Sequence, residues 1–251
     1  MRLRALLWWS GLLLALPVAL PQALWVRRTA LRLPPAAGVQ QGLAGSEFAG
    51  EPLRLLLIGE STVAGVGVAG QGEALAGQLG TALAQRLRRP VDWRACGENG
   101  ITAAQACQRL LPAALGEPAD LALLVFGVND STALSSLVTW DRALRELNQA
   151  LVARGCRVAF SGVPPMQHFT VLPWLLRRLL GARAALLDAH LLQLSGELAA
   201  SHHPLQVRLA VDHLAQDGYH PSELGYQLWA QVLAERLSGS CGETAPATGA
   251  R

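Results

Sequence analysis

The feature that most constrains this chain is a pair of near-continuous apolar runs, Leu53 to Ile58 and Leu121 to Phe126. Each run closes on a loop that starts with glycine, Gly59-Glu60-Ser61-Thr62 in one case and Gly127-Val128-Asn129-Asp130 in the other. A strand that is apolar on both sides has no face to offer water, so it belongs to a parallel sheet covered by helices above and below. The sequence between and after the runs agrees. Glu73 to Leu87 has helical spacing, Val91 to Ala95 reads as a second strand, and Thr102 to Leu115 as a helix. A further helix is expected from about Thr139 to Ala153, short strands at Val158 to Phe160 and Ala184 to Leu187, and a closing helix from Pro221 to Leu237. Proline suits the first turn of that last helix. Strands alternating with amphipathic helices predict the α/β class with a parallel sheet.

Composition adds exclusions. The chain has 251 residues, 51% hydrophobic and 16% charged, which is too apolar for a disordered protein and enough for a substantial core. A net charge of +3 leaves no electrostatic footprint for a nucleic-acid partner. All 21 basic residues are arginine, which reads as compositional bias rather than phosphate recognition. Four cysteines, Cys96, Cys107, Cys156 and Cys241, form no CxxC pair, so neither a zinc ribbon nor a thioredoxin-type motif is supported. Inert buried thiols are the expectation, with Cys96 and Cys107 the nearest pair should a disulfide form.

The N-terminus is a separate element. After Met1-Arg2-Leu3-Arg4 comes an uncharged run of 22 residues, Ala5 to Val26, ending at Arg27-Arg28. At roughly 1.5 Å per residue such a helix reaches about 33 Å and can cross a bilayer. Pro17 and Pro21 lie inside the run and no clean A-x-A site follows it, so residues 1–31 read as a retained anchor in preference to a cleaved signal peptide. Basic residues flank both ends and set no orientation. A membrane-tethered domain facing the periplasm, or a secreted one, is expected. Residues 32–51, rich in Pro, Gly and Ala, read as a linker, 52–238 as the catalytic-size domain and 239–251 as a frayed tail.

In parallel sheets, function collects in loops at the carboxyl ends of strands. Four such segments carry chemistry: Gly59-Glu60-Ser61-Thr62, Gly97-Glu98-Asn99-Gly100-Ile101-Thr102, Gly127-Val128-Asn129-Asp130, and Asp217-Gly218-Tyr219-His220-Pro221-Ser222. Each alone is ordinary loop punctuation. Together they hold the parts of acyl transfer. A serine hydroxyl needs a base to take its proton, the base needs a carboxylate to fix its tautomer, and the oxyanion needs preorganised donors. Ser61, His220 and Asp217 fill the first three roles, and backbone amides with the Asn129 side chain fill the last.

The set Ser61, Gly100, Asn129 and Asp217/His220 resembles the SGNH (GDSL-type) hydrolase superfamily over about residues 53–237. The resemblance implies a flavodoxin-like three-layer α/β/α fold, esterase or lipase-type chemistry on a small-molecule or lipid ester, and no metal or other cofactor. By motif, Ser61 is the expected nucleophile, His220 the base, Asp217 its orienting carboxylate, and Gly100 and Asn129 oxyanion donors with the Ser61 amide. Gly97 is the other candidate in its block; Gly100 is preferred because Gly100-Ile101-Thr102 matches the family's Gly-x-Thr. Glu60 stands where the family usually has Asp, and Val63 where Leu is common, which bears on subfamily and substrate.

Other readings are weaker. Gly59-Glu60-Ser61-Thr62-Val63 lacks the second glycine of the G-x-S-x-G elbow of α/β-hydrolases. His202-His203, Asp212-His213 and Asp217/His220 cluster in sequence, yet adjacent histidines point apart on any regular element and no HExxH occurs. Loop histidines are the expectation there, and His168 and His190 read as structural. Phe169 to Leu180 is more apolar than one helix face needs; it reads as a helix on the sheet or as an acyl-facing flap beside the site. The flap reading tilts the substrate towards an acyl ester or lysolipid and away from an acetylated polysaccharide. A catalytically silent binding domain on the same fold is the competing function class.

Overall fold

A computed structural model describes residues 2–205 and 210–241. Its centre is a six-stranded sheet formed by β1 (Gln41–Ala44), β2 (Leu53–Gly59), β3 (Val91–Gly97), β4 (Leu121–Val125), β5 (Arg157–Ser161) and β6 (Ser201–His203), in the order β1-β3-β2-β4-β5-β6. All neighbours pair in parallel except β1, which runs antiparallel to β3 at the edge. Without β1 the order is that of a flavodoxin-like doubly wound sheet, whose switch point lies beside its first strand. Here that strand is β2, and it leads into Ser61.

The period of two along the strands sorts their side chains into two cores. Leu56 and Ile58 of β2, Ala122 and Leu124 of β4, and Val158 and Phe160 of β5 face α3 (Ala103–Arg109), α4 (Leu111–Ala114), α6 (Leu137–Val152) and α7 (Trp174–Glu197). Leu55, Leu57, Leu123 and Val125 face α2 (Leu75–Leu87) and α8 (Glu223–Cys241). Each such buried leucine or valine contributes about 1.5–3 kcal/mol of transfer free energy. The result is the expected three-layer α/β/α fold, preceded by an apolar helix, α1 (Arg2–Thr29).

Several elements differ from expectation. Ala184 to Leu187 is not a strand; it lies inside α7, where Leu176, Leu187, Leu191 and Leu194 recur at helical spacing as the buried stripe. The last parallel strand is instead Ser201–His203, three polar residues at the edge. The segment read as a linker contributes β1, whose Gly42 packs so closely on Trp93 that an added Cβ would lie 2.7 Å from the indole. The helix expected over 102–115 breaks between Arg109 and Leu111, ahead of Pro112. Its N-terminus is fixed by a capping box in which Thr102 and Gln105 satisfy each other's backbone amides. The final helix starts at Glu223, with Ser222 Oγ accepting the Gly225 N–H and Pro221 outside it. Phe169 to Leu172 is irregular chain, and α7 begins only at Trp174. Cys96, Cys107 and Cys156 are free thiols. Residues 242–251 of the expected tail lie outside the described residues, while Ser238 to Cys241 continue α8.

The helix α1 is long and apolar enough to cross a membrane, and it continues through Pro17 and Pro21. It also packs against α7: Trp8 Nε1 donates to the Leu179 carbonyl at 2.9 Å, and Trp8 and Ala19 are buried. Leu3, Leu6, Leu7, Leu13 and Leu14 remain exposed.

Candidate active site

The register of the central strands sets the height of the site. Gly59 pairs with both Gly97 and Val125, so the loops bearing Ser61, Gly100 and Asn129 leave the sheet at one level. The two glycines of the second loop have different physical roles. A Cβ at Gly97 would lie 2.3 Å from the Ala64 backbone nitrogen, so this glycine lets the strand end press against the turn after Ser61. Gly100 has φ +84°, a left-handed conformation that favours glycine, with open space around it. Among the described residues, neither the Ser61 nor the Gly100 N–H is engaged in a hydrogen bond.

Asn129 sits in the first turn of α5 (Val128–Thr132), whose N-cap is Gly127. Its side chain therefore does not cap this helix. Nδ2 donates one hydrogen to the Ile101 carbonyl at 3.1 Å, tying the third loop to the second and leaving the other hydrogen for a ligand. Beneath it lies Glu60, only 3% exposed. The two Glu60 carboxylate oxygens accept the N–H groups of Val128 and Asn129 at 2.9 and 2.8 Å. Burial raises the Glu60 carboxyl to about 8 against the pull of those two donors, and the nearby Asp130 charge pushes the same way.

The fourth loop brings Asp217 and His220 together. Asp217 Oδ2 lies 2.6 Å from His220 Nδ1, while Oδ1 accepts the backbone N–H groups of Tyr219 and His220, each at 3.0 Å. Burial works to raise the Asp217 carboxyl, but the His220 ring and the two amides outweigh it and hold the group below the ordinary carboxylate range. With a carboxylate at Nδ1, the neutral imidazole carries its proton there, so Nε2 is an acceptor. Tyr219 stacks edge-on to both Phe169 (4.7 Å between centroids) and His220 (5.2 Å). From α8, the Tyr226 hydroxyl donates to the Val66 carbonyl at 2.7 Å and clamps the turn that follows Ser61.

Ser61 and His220 line one pocket. Its walls are otherwise mainly apolar, with Val125, Val128, Phe169, Leu205, Leu214 and Trp229 among them. Phe169, from the segment read as a helix or flap, is thus a wall of this pocket and not part of a helix. The five residues expected from sequence come together at one end of the sheet. Sequence reasoning gave no role to Glu60 beyond its departure from Asp, and none to Tyr226. The adjacency of Glu60 to Ser61 was the only available signal, because its partners lie 68 and 69 residues away.

Three of the other histidines have side-chain partners away from this pocket. His202 Nε2 is 2.9 Å from Asp188, His190 Nε2 is 2.9 Å from Asp141, and His203 Nε2 is 2.8 Å from Ser201 Oγ. Burial lowers His203 to about 4. No group of three or more His, Cys, Asp or Glu that could hold a metal ion occurs among the described residues.

Comparison with known proteins gives a consistent result. Residues 57–228 match the model of the GDSL-like lipase/acylhydrolase family. The chain is 27% identical over 192 residues to the GDSL-like esterase Rv1075c of Mycobacterium tuberculosis, covering 72% of this chain and 60% of that protein. It thus spans less than two thirds of that relative's length. Among solved structures, the lipase/acylhydrolase from Enterococcus faecalis matches with a TM-score of 0.60 at 18% identity, covering 75% of this chain and 96% of the other. An acetyl xylan esterase from Geobacillus stearothermophilus matches with a TM-score of 0.59 at 17% identity, covering 75% and 95%.

Proposed function

Since the chain belongs to the GDSL-like lipase/acylhydrolase family, we propose that it is a serine esterase cleaving carboxylic esters with an apolar acyl group, through an acyl-enzyme on Ser61. The observation that carries this reading is the Asp217–His220 contact at 2.6 Å, with His220 lining the same mainly apolar pocket as Ser61.

In the proposed reaction, His220 Nε2 takes the Ser61 hydroxyl proton as Oγ attacks the ester carbonyl carbon. The carbonyl π electrons move to oxygen, and that oxyanion receives the Ser61 and Gly100 backbone N–H groups and the second Asn129 Nδ2 hydrogen. The ester C–O bond then breaks, and His220 hands its proton to the departing alcohol. Water, deprotonated by His220, attacks the acyl-serine and releases the acid, returning the proton to Ser61. Asp217 keeps its negative charge throughout, orienting the ring and stabilising the imidazolium. Glu60 is proposed to act before the chemistry, holding the loop that presents Asn129.

The mainly apolar pocket walls support an ester with an apolar acyl group. The acetyl xylan esterase similarity supports the second reading, a deacetylase of a glycan ester. A panel of p-nitrophenyl esters from acetate to long chains separates them: rising kcat/KM with chain length supports the acyl reading, and confinement to acetate overturns it. Ser61→Ala should abolish both hydrolysis and labelling by a fluorophosphonate, whereas Ser131→Ala and Ser161→Ala should retain labelling. Comparable activity in the Ser61→Ala protein would remove the nucleophile assignment, and a wild-type protein that neither hydrolyses nor labels would point to a silent binding domain.

Tethering through α1 is part of the proposal, supported by its length and exposed leucines. Full-length protein should then pellet with membranes and resist alkaline carbonate. Mature protein whose first residue lies after about Val26 would show cleavage instead.

A further inference from the structure

The helices α1 and α7 meet over a buried charge that the proposed reaction does not use. Arg183 on α7 is 1% exposed. Its guanidinium lies 5.1 Å from the centroid of the Trp8 ring and 5.8 Å from that of Trp9, and the two indoles meet edge to face. Trp8 is hooked to α7 one turn away, through its bond to Leu179. Arg183 Nη2 donates to the Ser135 carbonyl just beyond α5, while Nε and Nη1 have no partner among the described residues.

Ser135 links this guanidinium to α5: its carbonyl takes the Arg183 donor, and its own N–H donates to the Asp130 carbonyl at 2.9 Å. Asp130 is fully buried on α5, which packs against α7. Asp130 Oδ2 accepts the Ala103 N–H at 3.0 Å, and Oδ1 has no hydrogen-bond partner among the described residues. Asp130 follows Asn129, and Ala103 closely follows Gly100. Two hydrogen bonds therefore join the loops that carry the proposed oxyanion donors: Asn129 Nδ2 to Ile101 O, and Ala103 N–H to Asp130. The second depends on Asp130 staying put. Burial pushes its carboxyl up, against the neighbouring Ser135 side chain, the Ala103 amide and, least of the three, the charge of Arg183.

We infer that Arg183 is a positioning residue for the oxyanion loops, acting through the Ser135 carbonyl at the end of α5 and so on Asp130, and that Trp8 and Trp9 of the N-terminal helix keep its guanidinium dry. The helix α1 is then a working part of the enzyme as well as a tether. Excluding water matters because a hydrogen bond from a charged donor is stronger where the local dielectric is low. With the indoles gone, Arg183 is hydrated, its hold on the Ser135 carbonyl weakens, and the Asp130–Ala103 bond loosens. A small misplacement of oxyanion donors costs transition-state stabilisation while leaving ground-state binding nearly intact.

The catalytic part of this inference rests on the proposed esterase reading, so the test uses two readouts on full-length protein in detergent. The first is amide hydrogen exchange over Ile101 to Gln105, which reports the Ala103–Asp130 link whatever the chemistry. The second is the split between kcat and KM for a p-nitrophenyl ester. The double variant Trp8→Ala/Trp9→Ala should speed exchange in that segment and lower kcat on the order of tenfold, with KM within about twofold. Leu13→Ser/Leu14→Ser, on the exposed side of the same helix, should change neither. Arg183→Met should resemble the tryptophan variant, and Arg183→Lys, which keeps the charge, should recover part of kcat. Unchanged exchange and unchanged kcat in the folded tryptophan variant would overturn the inference. Faster exchange in a protein with no Ser61-dependent hydrolysis would uphold the link and sink the esterase reading instead.

Discussion

Glu60 grips Asn129 from below. One carboxylate oxygen takes the Asn129 N–H at 2.8 Å and the other takes that of Val128 at 2.9 Å, so the residue before Ser61 fixes the loop that carries the amide. A short helix has N–H groups at its start that nothing within it satisfies, and the two Glu60 carboxyl oxygens accept a pair of them. Ser61 and Asn129 are thereby referenced to one another through the Glu60 side chain.

That arrangement gives Glu60 a measurable effect on stability. Its carboxyl is raised from 4.5 to about 8 in the folded protein, so the folded state binds a proton more tightly than the unfolded state does. By linkage, its contribution is fully present below about 4.5 and is lost as pH climbs towards about 8. Thermal melts of the wild type should show the melting temperature falling across that window. Glu60→Gln, which cannot ionise, should flatten the slope. It also turns an amide NH2 towards two backbone donors, leaving one of them unpaired at a cost of about 1–3 kcal/mol. A slope identical to wild type would show that Glu60 does not titrate there.

The parts of the fold visible in sequence are those whose cause is local. The runs Leu53 to Ile58 and Leu121 to Phe126 are apolar because both faces are covered, and their closing glycines mark the turns where Ser61 and Asn129 sit. Asp217 and His220 are three residues apart, so their contact could be read from one loop. What sequence missed has distant causes. Ser201–His203 is a strand only because β5 offers it a free edge, and Ala184 to Leu187 is helical because neighbouring turns of α7 extend through it. Gln41–Ala44 pairs with a strand some fifty residues on, and nothing in its Gly-rich composition foretells that. The same holds for Glu60, whose partners lie in another loop.

The Asp217–His220 pair predicts a graded mutant series. His220→Ala removes the base and should reduce turnover to the level of Ser61→Ala. Asp217→Asn keeps the shape, but its amide donates to Nδ1 and drives the ring proton to Nε2, where it blocks acceptance from Ser61. Loss of the corresponding carboxylate in serine proteases costs on the order of 10⁴ in kcat. Asp217→Asn should accordingly fall steeply yet leave more residual rate than His220→Ala, measured by stopped-assay hydrolysis at neutral pH. Equal tolerance at both positions would point to different chemistry.

Leu214 lines the pocket and is only partly buried, so a larger side chain there can be accommodated by displacing solvent instead of core. Leu214→Trp should narrow the apolar wall. The expected outcome is a fall in kcat/KM for octanoyl esters of about tenfold, the upper part of a contact change worth 1–3 kcal/mol being confined to longer chains, with acetate nearly unaffected. A uniform loss across chain lengths would mean that Leu214 shapes the catalytic groups and not the acyl site.

Asn129→Ala tests the proposed mechanism most sharply, because the geometry separates its two possible effects. The side chain does not cap α5, whose N-cap is Gly127, and its one observed bond is to the Ile101 carbonyl at 3.1 Å. Removing that bond should cost stability of about 0.5–1.5 kcal/mol. Removing an oxyanion donor typically costs about 10²–10³ in kcat. The variant should thus melt close to wild type, bind substrate with similar KM, and turn over hundreds of times more slowly, while Ser61 still reacts with a fluorophosphonate at a reduced rate. A large drop in melting temperature with normal kcat in the folded fraction would make the Ile101 bond the whole role of Asn129, and the oxyanion would then rest on the Ser61 and Gly100 amides alone.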